Sequence, residues 1–359
     1  MSRYLIKRLL LAIPVLLGIL IVTFILARSI PGEPCRAMLG EKATEAVCER
    51  FKEKFGFNKP IYVQLWIYIK EILSGNFGDS IRYSRPVLLI LIERLPMTIE
   101  LSLFALLIAI LIGVPGGILS SIKRNSVIDV ITMVGANIGI SMPVYWLGLM
   151  LAYVFGLKLL GTPFWLPPSG RMTAGVSVVP FYQLFGWIVE KGSLRYYILE
   201  FLGNLHILNS VFTQDWSTLK DATMHLILPA LALSTIPLSI IARMTRSSML
   251  EVLKQDYIRA AQAKGLKRSL VILKHALRNA LIPIITVIGL QMGTLFSGAV
   301  LTETIFGLAG VGRMMFEAIT ARDFPIIQGF TVAIAIGYVF INLLVDIFYL
   351  FIDPRIRLE

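Results

Sequence analysis

The chain reads Asp256-Tyr-Ile-Arg-Ala-Ala-Gln-Ala-Lys-Gly265 inside the longest polar interruption between hydrophobic stretches in its second half. Ser247 or Ser248 can cap a helix that starts before this stretch. Gly265 can end the same helix in a left-handed conformation. The pattern therefore predicts a short amphipathic helix beside a membrane. It also predicts a second basic helix, from Lys267 to Asn279, that leads into the next hydrophobic stretch.

Two interpretations fit this amphipathic helix, which carries the positive charges of Lys254, Arg259 and Lys264. As a solvated basic loop, it would lie on anionic lipid headgroups. As a docking helix, it would receive a soluble partner, because the small side chains of Ala260 and Ala261 allow another surface to approach the backbone closely.

The composition indicates a polytopic membrane protein. Of the 359 residues, 56% are hydrophobic and only 16% are charged, which is too apolar for a soluble domain of this length. The formal net charge of +12 is explained by a basic inner face, as the positive-inside rule requires. The sequence has no basic run interleaved with aromatic residues, so we expect no nucleic-acid partner.

Apolar stretches predict an all-α fold with six transmembrane helices in a single domain over residues 1–359. A stretch of about 20 apolar residues crosses the ~30 Å hydrocarbon core of a bilayer. The predicted spans are residues 9–27, 96–119, 128–159, 224–243, 281–301 and 330–351.

Basic residues near the ends of the spans predict the topology. Both termini and the long polar segment, residues 244–280, are expected on the cytoplasmic side. The segments 29–95 and 161–222 are then extracytoplasmic. Aromatic residues in the second of these predict short interfacial helices.

Two features predict how the spans pack. Ala105, Ala109, Gly113 and Gly117 recur every four residues, and such a stripe of small residues lets helices approach closely in lipid. Pro143 should bend the third span, because proline removes a backbone hydrogen bond from a helix.

Polar side chains within the third and fifth spans have two possible roles. They can line a translocation path, or they can form hydrogen bonds from helix to helix, since unpaired polar groups are costly in lipid. The path candidates are Asn137, Ser141, Tyr145, Gln291, Thr294 and Ser297.

Cys35 and Cys48 are the two cysteines, and both follow the first span in a predicted outer segment. That compartment allows a disulfide, but the sequence leaves two free, buried thiols equally open. Neither cysteine has a CxxC partner or a histidine at metal-ligand spacing, so no metal site is expected.

The stretches Asp256–Gly265 and His275-Ala-Leu-Arg-Asn-Ala-Leu-Ile-Pro283 resemble the coupling-loop signature of ABC importer membrane subunits, in particular the dipeptide/oligopeptide/nickel permease family. The general pattern is Glu-Ala-Ala, three residues and Gly; Arg259 stands here in place of the Glu. The stretches Pro31–Pro34, Gly75–Ser80, Glu93–Leu101 and Asn342–Arg357 resemble the same family, and together the similarity covers nearly all the chain except residues 171–222.

The resemblance implies one membrane subunit of an ATP-driven importer in a bacterial or archaeal inner membrane. The chain itself would bind no cofactor and carry no catalytic residue; ATP and Mg would bind two partner ATPases in the cytoplasm. A second permease subunit and an extracytoplasmic peptide-binding protein are implied as further partners, besides membrane lipid. Peptides are the expected substrates, with nickel chelates and oligosaccharides as alternatives. The implied coupling residues are Asp256, Tyr257, Arg259, Ala260, Ala261, Lys264 and Gly265.

Two other classes of function fit less well. Ion-coupled secondary transporters commonly hold charged residues near mid-bilayer, often within internal repeats. Here Glu100, Asp129 and Asp346 lie near the ends of the predicted spans, and no clear repeat is visible. An intramembrane enzyme of the HExxH or GxSxG type is excluded because neither motif occurs.

Overall fold

The computed structural model describes residues 2–29, 35–36, 43–54 and 56–352, with the backbone alone at 2–6, 27, 51, 54, 297–298 and 348–352. Helices dominate the described ranges, and no strand occurs in them apart from an isolated bridge between Asp79 and Pro86. The prediction of an all-α fold is therefore confirmed.

The helices have the following bounds in chain order: α1 Ser2–Ser29, α2 Glu45–Lys54, α3 Ile61–Leu73, α4 Val87–Ile122, α5 Val127–Ser141, α6 Val144–Leu151, α7 Phe181–Leu184, α8 Leu194–Gly203, α9 His206–Thr213, α10 Trp216–Val252, α11 Asp256–Ala263, α12 Arg268–Leu270, α13 Leu277–Ile305, α14 Val311–Ala321 and α15 Phe324–Ile352. Two π-helical segments, Ala152–Lys158 and Val271–Ala276, continue α6 and α12 respectively.

Among the described residues, five continuous helical stretches are long and apolar enough to cross a membrane. They are Lys7–Leu26, Val87–Ile122, Trp216–Val252, Arg268–Phe296 and Phe324–Ile347. These stretches overlap five of the six predicted spans.

The third predicted span, residues 128–159, is not one continuous helix. Residues Val127–Ser141 and Val144–Lys158 form a pair that is bent by 101° and makes a sixth span if it crosses as a unit. Met142 takes an extended conformation (φ −78°, ψ 128°), as expected of a residue before proline. The predicted bend at Pro143 is thus confirmed, and it is sharp enough to end one helix and begin another.

One local prediction around the polar segment 244–280 is wrong. Ser247 and Ser248 cap no helix, because α10 continues through both to Val252. Tertiary packing explains the error: Ser248 and Met249 are buried, so the helix continues where the local sequence favours a cap. The predicted basic helix over 267–279 is confirmed: residues from Arg268 onward are helical, and they run through the π-helical segment into α13 without a break.

The predicted stripe of small residues is confirmed as a close contact between α4 and α10. A Cβ atom at Gly113 would lie 3.0 Å from the carbonyl oxygen of Leu238. A Cβ atom at Gly117 would lie 2.6 Å from the carbonyl oxygen of Ala242 and 2.6 Å from Cβ of Thr245. Larger side chains at these two positions would force the helices apart.

The chain divides into two compact units. The first comprises Met1–Thr98, Ser177–Asp215 and Ala309–Val339. Its core contains Val87, Met314, Ile326 and Phe330. Asp323 is buried in this unit and accepts hydrogen bonds from the Ser80 hydroxyl (2.5 Å) and the Arg82 backbone N–H (3.1 Å). The carboxylate thereby fixes the loop that precedes α4.

The first unit contains both cysteines, which the sequence left open as either a disulfide or two free thiols. Cys35 and Cys48 form a disulfide and are both buried, so the alternative of two free thiols is wrong. Ala43, Phe57 and Ile81 pack against the disulfide. The bridge therefore ties the segment after α1 to α2.

The second unit comprises Ile99–Val176, Trp216–Leu308 and Phe340–Glu359. Its centre is α10, which packs against α13, α5 and α6. On α13, Gly289 allows the close approach of Val345, whose Cγ2 atom would lie 2.4 Å from a Cβ added at that glycine.

Candidate coupling site

The helix α11 has a defined start and end. Gln255 precedes it in an extended conformation (φ −70°, ψ 148°), and Lys264 follows it. Gly265 has φ +74°, which confirms the predicted left-handed conformation. The Gly265 N–H donates to the Gln262 carbonyl (2.9 Å) and the Leu266 N–H to the Ala261 carbonyl (3.4 Å). A side chain at residue 265 would strain this turn, because only glycine adopts such a backbone freely.

One face of α11 is anchored within the chain. Ile258 is fully buried and Ala261 is 8% exposed. Both belong to a hydrophobic cluster with Met249, Val271, Ala276, Ala280 and Ile284. Sequence reasoning did not single out Ile258; the available signal was its position three residues before Ala261, which puts both on one face of a helix.

The rest of α11 and the turn that follows it are exposed and carry the other six predicted coupling residues. Tyr257 is 43% exposed, and its hydroxyl accepts a hydrogen bond from the Asn279 side chain (2.7 Å). Arg259 and Asp256 form an ion pair of 3.4 Å with both side chains largely in solvent. Ala260, Lys264 and Gly265 are exposed beside them. The structure thus separates Ala261 from the group: its side chain faces its own chain.

The basic character of the predicted segment is also confined to its exposed side. Among the described residues from 251 to 280, every lysine and arginine is exposed. These side chains are Lys254, Arg259, Lys264, Lys267, Arg268, Lys274 and Arg278. A partner surface that approaches α11 therefore meets Tyr257 and Ala260 among exposed, positively charged side chains.

A π-helical segment connects this surface to the membrane helices. Val271 and Ala276 are buried within Val271–Ala276, and α11 packs against this segment. The segment then continues as α13 without a break. Short π-helical insertions are frequent at functional sites. The helix α11 is therefore joined to α13 by packed side chains and a continuous helix.

An ion pair between the buried Asp129 and the partly exposed Arg246 holds α10 to α5 in the second unit. The Arg246 Nε atom donates to Asp129 Oδ1 (2.7 Å) and Arg246 Nη2 to Asp129 Oδ2 (2.8 Å). The Ser120 hydroxyl and the Asn125 backbone N–H donate to the same carboxylate. Sequence reasoning missed this pairing, because the two residues are far apart in the chain; the only local signal was Asp129 in the first turn after the helix cap Ser126.

The path candidates of the third span lie around its break. Asn137 and Ser141 are exposed on α5, and the Ser141 hydroxyl donates to the Asn137 carbonyl (2.9 Å). Tyr145, on the other side of Pro143, is 51% exposed. A role for these three residues in a path stays a prediction.

The path candidates of the fifth span lie on α13. Gln291 is buried, whereas Thr294 is exposed and donates through its hydroxyl to the Gln291 carbonyl (2.8 Å). The Ser297 side chain lies outside the described residues. A role for these residues in a path therefore stays a prediction.

Comparison with known families identifies two matching models that together cover almost the whole chain. The family described as binding-protein-dependent transport system inner membrane component matches residues 113–358. The corresponding N-terminal family of binding-protein-dependent transport system membrane components matches residues 1–102.

The chain is also similar to characterised proteins over its full length. It is 45% identical to a dipeptide transport system permease protein of Alkalihalophilus pseudofirmus, with 99% of this chain and 100% of the relative covered. It is 40% identical to a dipeptide transport system permease protein of Escherichia coli, with 99% of both chains covered. An oligopeptide transport system permease protein of Bacillus subtilis is 37% identical, with 99% and 100% covered.

Proposed function

The chain belongs to the family of binding-protein-dependent transport system inner membrane components, and we propose that it is the membrane subunit of an ATP-driven importer of peptides. It is a multi-pass protein of the bacterial inner membrane. The proposal of a peptide substrate rests on the relatives, which are permeases named for dipeptides and oligopeptides. Nickel chelates and oligosaccharides remain the competing substrates.

The proposed partners supply what this chain lacks. Two cytoplasmic ATPases bind ATP and Mg and dock on α11, one of them on this chain and one on a second, related permease subunit. An extracytoplasmic binding protein delivers the peptide. In this arrangement both termini and α11 face the cytoplasm, and the segments 29–95 and 161–222 face outward.

The two-sided structure of α11 is the observation that carries the proposal. Ile258 and Ala261 fix the helix to its own chain, while Tyr257, Ala260 and Lys264 remain free for a second surface. Ala260 rather than Ala261 then provides the close approach, and the turn at Gly265 keeps the chain clear of the partner. The electrostatic attraction of the surrounding basic side chains orients an acidic docking surface.

The proposed mechanism follows from this attachment. Closure of the ATPases moves α11, and the π-helical segment passes the displacement to α13. Because helices in a packed core shift between discrete arrangements, the displacement exposes the path alternately to the two sides. Each arrangement is favoured by a different bound state of the partners. Asn137, Ser141, Tyr145, Gln291, Thr294 and Ser297 stay the candidates for contact with the peptide.

Uptake of labelled peptide into proteoliposomes tests the proposal. The chain is compared alone and together with a second permease, two ATPases and a binding protein, with and without ATP. We expect uptake only from the complete set with ATP. Excess unlabelled peptide should compete, whereas nickel chelates and oligosaccharides should not. Uptake by the chain alone, driven by an ion gradient, would contradict the proposal.

A further inference from the structure

The first unit contains a cavity of about 470 Å³ that is separate from the residues assigned above to coupling or to the path. It lies among the end of α1, the helix α3, the loop before α4 and the start of α15. Its lining includes Arg28, Gln64, Tyr68 and Gln328. A volume of this order is typical of sites for small molecules, which usually combine apolar walls with a few polar groups.

The most unusual group in the cavity is the Arg28 guanidinium. Its Nε and Nη1 atoms are buried, and neither has a hydrogen-bond partner among the described residues. The guanidinium carbon lies 4.3 Å from the ring centre of Phe57 and 5.2 Å from those of Phe24 and Phe324. Aromatic faces attract a cation but accept no conventional hydrogen bond. Among the described residues, the charge is therefore held in place by aromatic rings and is paired with no carboxylate.

The pKa of Arg28 reflects the same situation. The residue lies beyond the apolar stretch Lys7–Leu26 of α1, and burial lowers its pKa to about 10. The group is still positively charged at neutral pH. Since a buried charge without a partner is costly, an anion that enters the cavity would recover part of that cost.

Three further polar atoms at the cavity lack partners in the part of the chain that the structure describes. These are the Tyr68 hydroxyl, the Gln328 Nε2 atom and the Gln64 Oε1 atom. The Gln64 amide is held by its Nε2 group, which donates to the Lys59 carbonyl (2.7 Å) and the Phe57 carbonyl (3.3 Å). Native structures leave few buried polar atoms unpaired, and such a concentration calls for an explanation. Two of the three, like Arg28, can donate a hydrogen bond.

Charges of the opposite sign surround the buried donors. Glu53, Glu71 and Asp79 line the same cavity and are exposed, together with a single exposed base, Lys59. The interior thus favours an anionic oxygen and the rim favours a cation. This charge pattern matches a small molecule that carries a carboxylate at one end and an ammonium group at the other.

We propose that the cavity binds a small zwitterion, an amino acid or a short peptide, with its carboxylate toward Arg28, Tyr68 and Gln328 and its ammonium group toward the acidic rim. The site goes beyond the proposed function, because it uses none of the residues assigned to coupling or transport. Its occupancy is measured without ATPases, so its outcome is independent of any uptake experiment.

Binding of glycylglycine to the purified full-length chain in lipid nanodiscs tests the proposal, with isothermal titration calorimetry as the measurement. We expect saturable binding. Glycylglycine amide lacks the carboxylate and N-acetylglycylglycine lacks the ammonium group, and each should bind about tenfold more weakly, since hydrogen bonds to charged groups contribute on that scale. Equal binding of either analogue, or binding of O-phosphoethanolamine in preference to glycylglycine, would overturn the proposal.

Tyr68→Phe is the most informative variant, because it removes only a hydroxyl that has no hydrogen-bond partner within the described ranges. We expect unchanged thermal stability and about tenfold weaker binding of glycylglycine. Tyr62→Phe is the matched control on the same helix, as Tyr62 is 71% exposed and does not line the cavity. Equal affinity for the Tyr68→Phe variant and the unaltered chain would overturn the proposal, as would the absence of saturable binding to the unaltered chain.

Discussion

Two arginines, Arg246 and Arg28, are both partly buried but have opposite surroundings. Arg246 forms two hydrogen bonds with the Asp129 carboxylate, which in turn accepts from Ser120 and Asn125. Arg28 rests on three phenyl rings, and its Nε and Nη1 atoms have no acceptor within the described ranges.

The hydrogen-bond partners of the two arginines distinguish a structural charge from one that is available to a ligand. A buried charge that is fully paired holds its neighbours together, and removal of its partner is strongly destabilising. A buried charge without a partner adds little to the stability of the ligand-free protein. When a ligand of opposite charge binds, it offsets part of the free-energy cost of burying that charge. Stability and binding should therefore respond differently at the two sites.

The largest effect is expected for Asp129→Ala, which leaves the Arg246 charge without its carboxylate. The free energy of unfolding should fall by about 3 kcal/mol, the lower end of the scale for breaking a buried pair, because the Arg246 side chain is 27% exposed. Denaturant unfolding in nanodiscs measures this change. The control is Asp256→Ala, because its pair with Arg259 is exposed and should contribute less than about 1 kcal/mol. Equal effects of the two substitutions would contradict the comparison.

A somewhat smaller effect is expected from the loss of the disulfide between Cys35 and Cys48. A cross-link that closes a loop of this size contributes about 2–3 kcal/mol, mainly by restricting the unfolded chain. Phe57 packs against the disulfide and also lies over Arg28, so reduction should weaken glycylglycine binding as well. The chain has two cysteines in all, so a reductant acts on this bond alone. An unchanged unfolding midpoint in reductant would contradict the prediction.

The smallest change in stability is expected for Arg28→Met. Cation–π contacts contribute about 0.5–1 kcal/mol each at partly exposed sites, and relief of the desolvation of the charge offsets much of their loss. The free energy of unfolding should change by less than about 1 kcal/mol, while glycylglycine binding is lost. A destabilisation as large as that of Asp129→Ala would show that Arg28 is structural.

The sequence was sufficient for features that depend on local pattern. The apolar stretches, the bend at Pro143 and the left-handed turn at Gly265 each follow from residue types within one short window. The stripe that contains Gly113 and Gly117 also predicted a close helix contact, although it did not name α10 as the partner.

Features that depend on distant residues could not be predicted. Asp129 and Arg246 are separated by more than a hundred residues, and the Arg28 cavity is assembled from helices at both ends of the chain. The error at Ser248 has the same origin: a serine that can cap a helix is overruled when its neighbours Thr245 and Met249 are buried. Ile258, which anchors α11, is buried by Met249, Val271 and other residues outside that helix, so its own short window did not reveal its role.

Under the proposed function, the exposed face of α11 receives an ATPase, while its buried face packs against its own chain. Ala260→Arg places a charged side chain where the partner must approach closely, without touching the cluster around Ile258. Gly265→Val strains the turn that follows, and Gly175→Val is the matched control. Gly175 has a comparable left-handed conformation (φ +91°) in open space, away from α11 in the sequence.

The most direct measurement is the amount of ATPase that co-purifies with the affinity-tagged chain. Ala260→Arg should reduce the retained ATPase by about tenfold or more, as expected when an unpaired charge is buried in an interface. Gly265→Val should also reduce it, while Gly175→Val and the unaltered chain should retain the ATPases equally. Full retention by the Ala260→Arg variant would contradict the account and would leave α11 as a basic helix that lies on lipid.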